Sequence, residues 1–484
     1  MRSSPPDQPR GTRRRGGDGT GLEQDVAATL QPGFAGTSVP GWLDQARAGG
    51  LVSVCLYGDN VTEGAGLGPV CAALHERLPG VLLAVDEEGG DVTRVHYPRG
   101  STVVGNAVLG RIDDEALTRR TAAAIGGELA ALGIGLDLAP VLDVNSNPAN
   151  PVIGVRSLGA DPADVSRHGV AWVEGLQGAG VAACAKHFPG HGDTVADSHH
   201  GLPRVDAPLE VLHERELAPF AAAARAGVAS VMTSHVVVAA LDPDRPATFS
   251  PTVLGIIRDG LGFDGVIVSD ALDMAGASAE TGIPEAAVQA LAAGVDLLCL
   301  GSMTPPGRYT EVHAAVVEAV RSGRLDRARV TEAAERVRRL AESYRPVPSD
   351  GPAAADLPDG LVAGAFTVTD AAREFVADPA TLVVVQVETT ANLAVGPVSW
   401  GPAALDATVA EGEVPDGAKV AVVGRGLGEG HPAHGAVSRL RAAGHRVVLV
   451  ECGWPRGGAD VETFGGSPAV ATPLLALLQG RLDR

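Results

Sequence analysis

Short apolar runs alternate with longer amphipathic segments between about residue 50 and residue 344. The short runs are almost continuously apolar, which is typical of parallel strands buried on both faces. The longer segments repeat Ala, Leu and Val at helical spacing and end at Gly, as helices do when they return the chain to such a sheet. Seven runs predict strands, namely Leu51–Tyr57, Val81–Val85, Ile134–Val144, Val181–His187, Ser230–Val237, Gly265–Ser269 and Asp296–Leu300.

Repeated βαβ units of this kind are compatible with two architectures. An eighth strand, expected in the weakly patterned region before Leu51, would close a (β/α)8 barrel. An open doubly wound parallel sheet is the alternative. We predict an α/β fold with a (β/α)8 barrel over residues 26–344, preceded by a disordered tail over residues 1–25.

The pattern changes after the predicted barrel. Residues 345–360 are rich in Pro, Ala, Asp and Gly, which is typical of a linker. Residues 361–484 then predict a smaller αβα layered domain. Its strand-like runs are Thr381–Val387, Lys419–Val423 and His445–Val450, and its clearest helix is Ala436–Ala443.

Charge and hydropathy narrow the possible partners. The 484 residues carry a formal net charge of −20, which disfavours binding to nucleic acid or to an anionic membrane surface. No run approaches the roughly 18 consecutive apolar residues of a membrane-spanning helix. We therefore expect a soluble protein with a neutral or weakly charged ligand, and the sequence does not predict an oligomeric state.

The cysteines and the N-terminus predict a cytoplasmic location. The cysteines are odd in number and scattered, which is typical of buried reduced thiols: Cys55, Cys71, Cys184, Cys299 and Cys452. The basic residues Arg13–Arg15 precede a polar, glycine-rich stretch over residues 16–25, where a secretory signal would need an apolar segment.

Polar and reactive side chains follow the predicted strands. In a parallel barrel all the carboxyl ends of the strands open on one face, so residues far apart in sequence would converge there. Seven residues occupy such positions, namely Asp86, Glu88, Asp143, Lys186, His187, His235 and Asp270.

The densest motif lies after the fourth predicted strand. Residues 186–193 read KHFPGHGD, and residues 197–203 read DSHHGLP. Here the chain resembles the family 3 glycoside hydrolases, specifically their peptidoglycan-recycling β-N-acetylglucosaminidase (β-N-acetylhexosaminidase) branch. Four further segments carry the resemblance: DEEGGDVTR at 86–94, IGVRS at 153–157, PATFS at 246–250 and LGFDGVIVSD at 261–270.

Cleavage of a glycosidic bond requires one group that protonates the leaving oxygen and another that traps the anomeric carbon. Asp270 follows a predicted strand and suits the trapping role as an ionised carboxylate. The alternative is that Asp270 caps the next helix, as Asp often does after a strand. The resemblance implies that Asp270 is the nucleophile of a retaining glycosidase.

The proposed acid is a histidine. Its ordinary pKa of about 6.5 suits proton transfer near neutral pH, and a neighbouring carboxylate orients the ring. The resemblance implies that Asp197 and His199 form this dyad, because the spacing to Leu202 and Pro203 selects His199 rather than His200. An exposed loop histidine with no catalytic part is the alternative.

Sugar hydroxyls require charged hydrogen-bonding partners, because a buried polar group without a partner costs about 1–3 kcal/mol. The resemblance implies that five residues hold the terminal sugar, namely Asp86, Arg94, Arg156, Lys186 and His187. Ordinary ion pairing at a barrel rim is the alternative for each. The chain departs from its relatives at Glu87, where Gln is frequent, and at Ala271, where a second Asp is frequent.

Together these motifs predict an exo-acting β-N-acetylglucosaminidase that needs no cofactor and no metal and acts on small cell-wall-derived saccharides or muropeptides. β-Glucosidase action, phosphorolysis and a catalytically silent sugar sensor remain open. A zinc or iron site built from the histidines and aspartates of residues 187–200 is the rival chemistry. Pro189 and Gly190 interrupt any helix there, which disfavours the usual His-x-x-x-His metal geometry.

The run GRGLG at residues 424–428 imitates part of a dinucleotide-binding fingerprint. Its third glycine is misplaced for GxGxxG, and no acidic residue follows convincingly at a strand end. We interpret it as a tight turn between a strand and a helix. The second domain is assigned no catalytic residue.

Overall fold

A closed ring of eight parallel strands forms the first domain of the computed structural model, which describes residues 18–195, 202–346, 357–389 and 394–482. The strands are β1 (Leu30–Gln31), β2 (Ser53–Leu56), β3 (Leu82–Val85), β4 (Leu136–Asp137), β5 (Ala182–Phe188), β6 (Ser230–Thr233), β7 (Val266–Val268) and β8 (Leu298–Cys299). Strands β2 to β7 pair in chain order, and β8 pairs with β1. Backbone hydrogen bonds from Cys55 to Pro32 and from Leu297 to Ile267 complete the circle.

The helices surround this ring. The principal ones are Trp42–Ala48, Gly68–Arg77, Glu115–Ala131, Pro162–Gly178, Leu217–Arg225, Ile283–Ala293, Pro306–Arg321 and Arg327–Ser343. The apolar core fills the space on both sides of the strands, as continuous hydrophobic strands require. The predicted α/β barrel is confirmed. The additional strand expected before Leu51 is β1.

Two predicted strands are shorter in the structure. The run Ile134–Val144 contains the two-residue strand β4 and, beyond Pro140, which has no N–H group to donate, a single parallel bridge between Val141 and Lys186. The run Ser230–Val237 contains β6 and, after a break, Val237–Val238, which pairs in parallel with Arg204–Val205 in a separate small sheet.

The predicted tail over residues 1–25 overlaps a helix, Asp18–Ala28, so residues 18–25 are not disordered. Leu22 and Val26 are one helical turn apart and both are buried. Asp25 accepts hydrogen bonds from Arg327 and Arg338, each at 2.8 Å. These contacts fasten the segment to the last barrel helix.

The second domain is a five-stranded sheet with helices on both faces. Its strands are β9 (Thr367–Val368), β10 (Leu382–Gln386), β11 (Lys419–Gly424), β12 (Arg446–Glu451) and β13 (Val461–Glu462), in the order β9-β13-β12-β11-β10. Alternate residues of β11 face opposite ways. Val420 and Val422 pack with helix Pro432–Ala442, whereas Ala421 and Val423 join the core that contains helices Asp370–Ala377 and Pro468–Leu478.

The two domains meet beside the carboxyl ends of the barrel strands. Asp91 accepts a hydrogen bond from the backbone N–H of Gly466 at 2.9 Å. Arg111 donates to the carbonyl of Ala365 at 2.5 Å. Most of the predicted linker lies outside the described residues, and a helix begins at Asp359. Among the described helices, none is long and apolar enough to cross a membrane.

Candidate active site

A pocket of about 340 Å³ opens at the carboxyl ends of the barrel strands. Because all eight strands are parallel, these ends lie on one face of the barrel. Eight lining residues lie within two residues of a strand end: Tyr57, Asp86, Leu138, Lys186, His187, Met232, Asp270 and Cys299. Segments between the strands add Glu88, Arg94, Arg156, His191 and Asp273, and the second domain adds Ala394.

A buried network of charges forms one wall of the pocket. Lys186 Nζ donates to Asp86 Oδ1 at 2.6 Å and lies 2.7 Å from Glu88 Oε1. Arg156 binds the same carboxylate of Glu88 through two nitrogens, at 2.7 and 2.9 Å. The side chains of Lys186 and Glu88 are each 2% exposed. Two cations and two carboxylates therefore hold one another in fixed positions.

The electrostatics of the network keep Glu88 and Lys186 charged. Burial would raise the pKa of Glu88, but Arg156 and Lys186 outweigh it and hold that pKa well below its ordinary value. Burial would lower the pKa of Lys186, but Asp86 and Glu88 hold it above its ordinary value. The pocket thus presents charged donors and acceptors that are already held in place for a ligand with several polar groups.

Asp143 orients two histidines of the KHFPGHG motif. Its carboxylate lies 2.7 Å from His187 Nδ1 and accepts the backbone N–H of His191 at 2.7 Å. Nδ1 of His187 is thereby engaged, and Nε2, 3.4 Å from Arg156, faces the pocket side. Burial lowers the pKa of His191 to about 4, so this ring is neutral at pH 7.

Glu87 and Arg94 connect the pocket wall to the second domain. Glu87 Oε2 accepts hydrogen bonds from the Thr93 hydroxyl and from the backbone N–H groups of Arg94 and Val95, at 2.7–2.9 Å. The guanidinium of Arg94 donates to the carbonyls of Ala394 at 2.7 Å and Val395 at 3.3 Å. Glu87 therefore shapes a turn and does not line the pocket.

Asp270 lies in the pocket two residues beyond strand β7. Its Oδ1 accepts the backbone N–H of Ala271 at 2.8 Å. The next helix begins at Ala275 with Met274 as its N-cap, so Asp270 does not cap a helix. The negative charge of Asp270 acts to raise the pKa of His191, which belongs to the KHFPGHG motif.

His235 supports the Asp270 loop from behind. Its Nε2 lies 3.1 Å from the carbonyl of Ala271, and its Nδ1 lies 3.0 Å from the hydroxyl of Thr248. Phe249 stacks on the ring, with centroids 6.2 Å apart. The PATFS segment thus acts on the pocket indirectly, although the strand-end pattern had placed His235 with the reactive residues.

The predicted dyad, Asp197 and His199, lies outside the described residues, which end at residue 195 and resume at residue 202. The six other predicted residues line one pocket: Asp86, Arg94, Arg156, Lys186, His187 and Asp270. Among the described residues, no group of three or more His, Cys, Asp or Glu side chains is arranged to hold a metal ion.

The sequence reasoning left several pocket residues without a role. Glu88 and Asp143 had the strand-end signal, but their partners are separated from them by 44 to 98 residues. Asp273 also lines the pocket and lies three residues after Asp270 in the chain. Tyr57 and Cys299 lie in apolar runs, and nothing in the sequence marks them; the Tyr57 hydroxyl and Cys299 Sγ are 3.2 Å apart.

The profile described as "Glycosyl hydrolase family 3 N terminal domain" matches residues 40–340. This chain belongs to glycosyl hydrolase family 3. The resemblance found in the KHFPGHG and DSHxxLP motifs is therefore confirmed. The matched range covers the whole pocket-forming part of the barrel, from the helix before β2 to the last barrel helix.

Individual relatives agree with this assignment. Beta-hexosaminidase A of Pseudoalteromonas piscicida is 35% identical over 312 residues, which are 59% of this chain but only 52% of that protein. A family 3 beta-N-acetylglucosaminidase from Paenibacillus sp. str. FPU-7 superposes with a TM-score of 0.80 at 29% identity, over 96% of this chain and 97% of that structure. A fungal multi-domain beta-N-acetylglucosaminidase gives 0.84 at 27% identity, over 95% of this chain and 60% of that structure.

Proposed function

We propose that this family 3 member is a retaining, exo-acting β-N-acetylglucosaminidase in which Asp270 is the nucleophile and Asp197 and His199 form the acid/base dyad. The observation that carries the proposal is the position of Asp270 in the same pocket as the Asp86–Lys186–Glu88–Arg156 network. The pocket volume of about 340 Å³ is near the lower end of the range for small-ligand sites, roughly 300–1000 Å³. Such a pocket suits one terminal sugar.

The chemistry proceeds by two displacements. In the first, ionised Asp270 attacks the anomeric carbon while protonated His199 gives its proton to the leaving oxygen, which yields a glycosyl ester and a free alcohol. In the second, neutral His199 takes a proton from water, the resulting hydroxide attacks the anomeric carbon, and the ester bond to Asp270 breaks. Two inversions at one carbon leave its configuration retained.

The buried network supports this chemistry by fixing the sugar. Asp86 and Lys186 are paired with each other, so each offers its remaining hydrogen-bonding positions to hydroxyl groups without leaving a buried charge uncompensated. Asp143 holds the ring of His187 in one orientation. A sugar held at several hydroxyls keeps its anomeric carbon within reach of Asp270, which is the entropic advantage of a preorganised site.

The substrates we propose are cell-wall-derived saccharides or muropeptides that carry a terminal N-acetylglucosamine, and the compartment we propose is the cytoplasm. The names of the relatives support the sugar. All five cysteines are buried free thiols, which supports a reducing compartment. A higher kcat/KM on N-acetylglucosaminyl-N-acetylmuramic acid than on di-N-acetylchitobiose would support the cell-wall substrate, and equal values would contradict it.

The decisive experiment follows the first-formed product of nitrophenyl β-N-acetylglucosaminide by NMR. We expect the β anomer of free N-acetylglucosamine to appear first, and the α anomer would refute retention. Sugar 1-phosphate formed in phosphate buffer would identify a phosphorylase, and preference for the matching β-glucoside would identify a glucosidase. If neither glycoside is cleaved, the result would favour the alternative of a catalytically silent sugar sensor.

The nucleophile is tested with Asp270→Asn, for which we expect kcat/KM to fall by at least about 1000-fold. The matched control is Asp259→Asn, which changes an exposed carboxylate on the outside of the barrel and should retain full activity. A slow substrate should leave a covalent sugar on the peptide that contains Asp270, detected by mass spectrometry. Substantial activity in Asp270→Asn would refute the assignment.

A further inference from the structure

A second cleft, of about 510 Å³, lies where the barrel meets the second domain. The loop of residues 150–156 forms its barrel wall, and residues that include Arg425, His431 and Trp454 form the opposite wall. Three residues line both this cleft and the pocket that contains Asp270, namely Val152, Ile153 and Arg156. The cleft therefore adjoins the pocket that contains Asp270.

The cleft is positively charged although the whole chain carries a net charge of −20. Three cations line it, Arg156, Arg425 and Arg456, and one carboxylate, Asp91. Arg156 is compensated by Glu88, and Arg425 lies 3.9 Å from Asp91. The charge of Arg456 is left without a counter-charge in the cleft.

The surroundings of Arg456 keep this charge available. The side chain is exposed, and its Nη2 lies 3.5 Å from the carbonyl of Ala149 across the cleft. Within the described ranges, no carboxylate forms an ion pair with it. Glu451 attracts Arg456 electrostatically without forming an ion pair, and its carboxylate accepts the backbone N–H groups of Gly426, Leu427 and Gly453, at 2.6–2.8 Å.

Two further side chains of the second domain, Trp454 and His431, are suited to contact a sugar ring that carries polar groups. The indole of Trp454 packs on Phe464 edge to face, and its Cβ is 3.5 Å from where a Cβ would stand on Gly154 of the barrel loop. His431 Nδ1 accepts the N–H of Ala433 at 3.1 Å, so the neutral ring carries its proton on Nε2. That Nε2 is buried and has no hydrogen-bond partner among the described residues.

We propose that this cleft, hereafter the interdomain cleft, binds a carboxylate on the leaving-group portion of the substrate, and that Arg456 is the residue that selects for it. The inference rests on the proposed function, since it concerns the other half of the same substrate. The guanidinium of Arg456 forms no ion pair within the described residues, and it offers the paired N–H groups that one carboxylate accepts. Trp454 provides an apolar face for the ring that bears this group.

The test compares substrates that differ by one charge. The acid probe is N-acetylglucosaminyl-β-1,4-N-acetylmuramic acid, and the neutral probe is its methyl ester. A third probe carries L-alanine amide-linked to the lactyl group, which moves the free carboxylate onto a peptide. We expect the wild-type chain to show about tenfold higher kcat/KM on an acid than on the ester, mainly through KM, and 0.5 M NaCl to reduce this ratio.

Substitutions then assign the preference to one side chain. Arg456→Gln should bring the acid-to-ester ratio to about 1, with a loss of about tenfold on the acid and less than threefold on the ester. Arg456→Lys should restore part of the ratio because it keeps the charge. The control Arg481→Gln removes an exposed cation of the same domain outside the cleft and should leave the ratio as in the wild type.

The outcomes separate this inference from the function on which it rests. Equal rates on acids and ester in the wild type, or equal losses on all probes in Arg456→Gln, would overturn the role of Arg456. A preference for the alanyl probe alone would support the inference and identify a peptide carboxylate. If no probe is cleaved, the proposed function fails; calorimetric binding of the acid but not the ester, lost in Arg456→Gln, would still support the cleft, and equal binding would overturn it.

Discussion

The substitution Glu88→Gln tests the buried network most directly. The carboxylate of Glu88 is shared by Lys186 and Arg156, at 2.7 Å from each. The amide keeps the shape of the side chain but removes its charge. Lys186 then keeps its pair with Asp86, whereas Arg156 loses the carboxylate that it binds through two nitrogens. Breaking a buried ion pair on one side costs about 3–5 kcal/mol, and we expect a loss of about 4 kcal/mol at pH 7.

The loss has a characteristic pH dependence. The pKa of Glu88 is lower in the folded chain than in the unfolded chain, so its stabilising contribution is complete above about pH 4.5 and is lost as the pH falls below that value. The glutamine does not titrate. The stability difference between the two proteins should therefore be constant from pH 5 to pH 8 and narrow by about 1.4 kcal/mol per pH unit below about 4.5.

Urea unfolding of the wild type and the variant, followed by circular dichroism and by tryptophan fluorescence, measures this difference. Activity should fall by about 100-fold or more, because Lys186 and Arg156 lose the anchor that positions them. The matched control is Glu174→Gln, which breaks an exposed pair with Arg119, 44–45% exposed, and should cost at most about 1 kcal/mol. If Glu88→Gln costs no more than this control, the account of the network is wrong.

Two other substitutions test neighbouring carboxyl groups. In Glu87→Gln the amide oxygen can accept the three hydrogen bonds from residues 93–95, and burial already raises the pKa of Glu87. The free energy of unfolding in urea at pH 7 should therefore change by no more than about 1 kcal/mol, and the activity should stay within threefold. A large loss of either would show that the ionised form is required. Glu216 has a pKa raised by burial to about 7, despite its pair with Arg215, so it should lower stability by on the order of 3 kcal/mol between about pH 4.5 and pH 7. Glu216→Gln should remove this decline in a pH series of unfolding curves, and an unchanged decline would refute the assignment.

The strand-end pattern located the pocket because a parallel barrel allows few alternatives. Once Asp86, Lys186 and Asp270 each follow a buried strand, closure of the sheet brings them to one face regardless of the intervening sequence. The same argument could not assign partners. Lys186 pairs with Asp86 across 100 residues, and nothing in either neighbourhood specifies that distance.

Residues that support the pocket from behind were harder to recognise. His235 carries the strand-end signal, yet its ring binds Thr248 and the Ala271 carbonyl and does not line the pocket. The signal reports only the end of the strand on which a residue lies. Whether the side chain points into the barrel or out of it depends on a register of one residue, which short strands specify weakly.

The glycine-rich turn at residues 424–428 shows how the fold can determine what a motif binds. Its glycines predict free backbone N–H groups, but the occupant depends on the pairing of β11 with β12, which sets Gly424 opposite Glu451. That carboxylate accepts the N–H groups of Gly426 and Leu427, so a phosphate there would face a negative charge at contact distance. The N–H groups of this turn therefore bind a carboxylate of the neighbouring strand and not an external phosphate. Glu451 attracts Arg456 electrostatically but forms no ion pair with it among the described residues, and the exposed guanidinium of Arg456 lines the interdomain cleft.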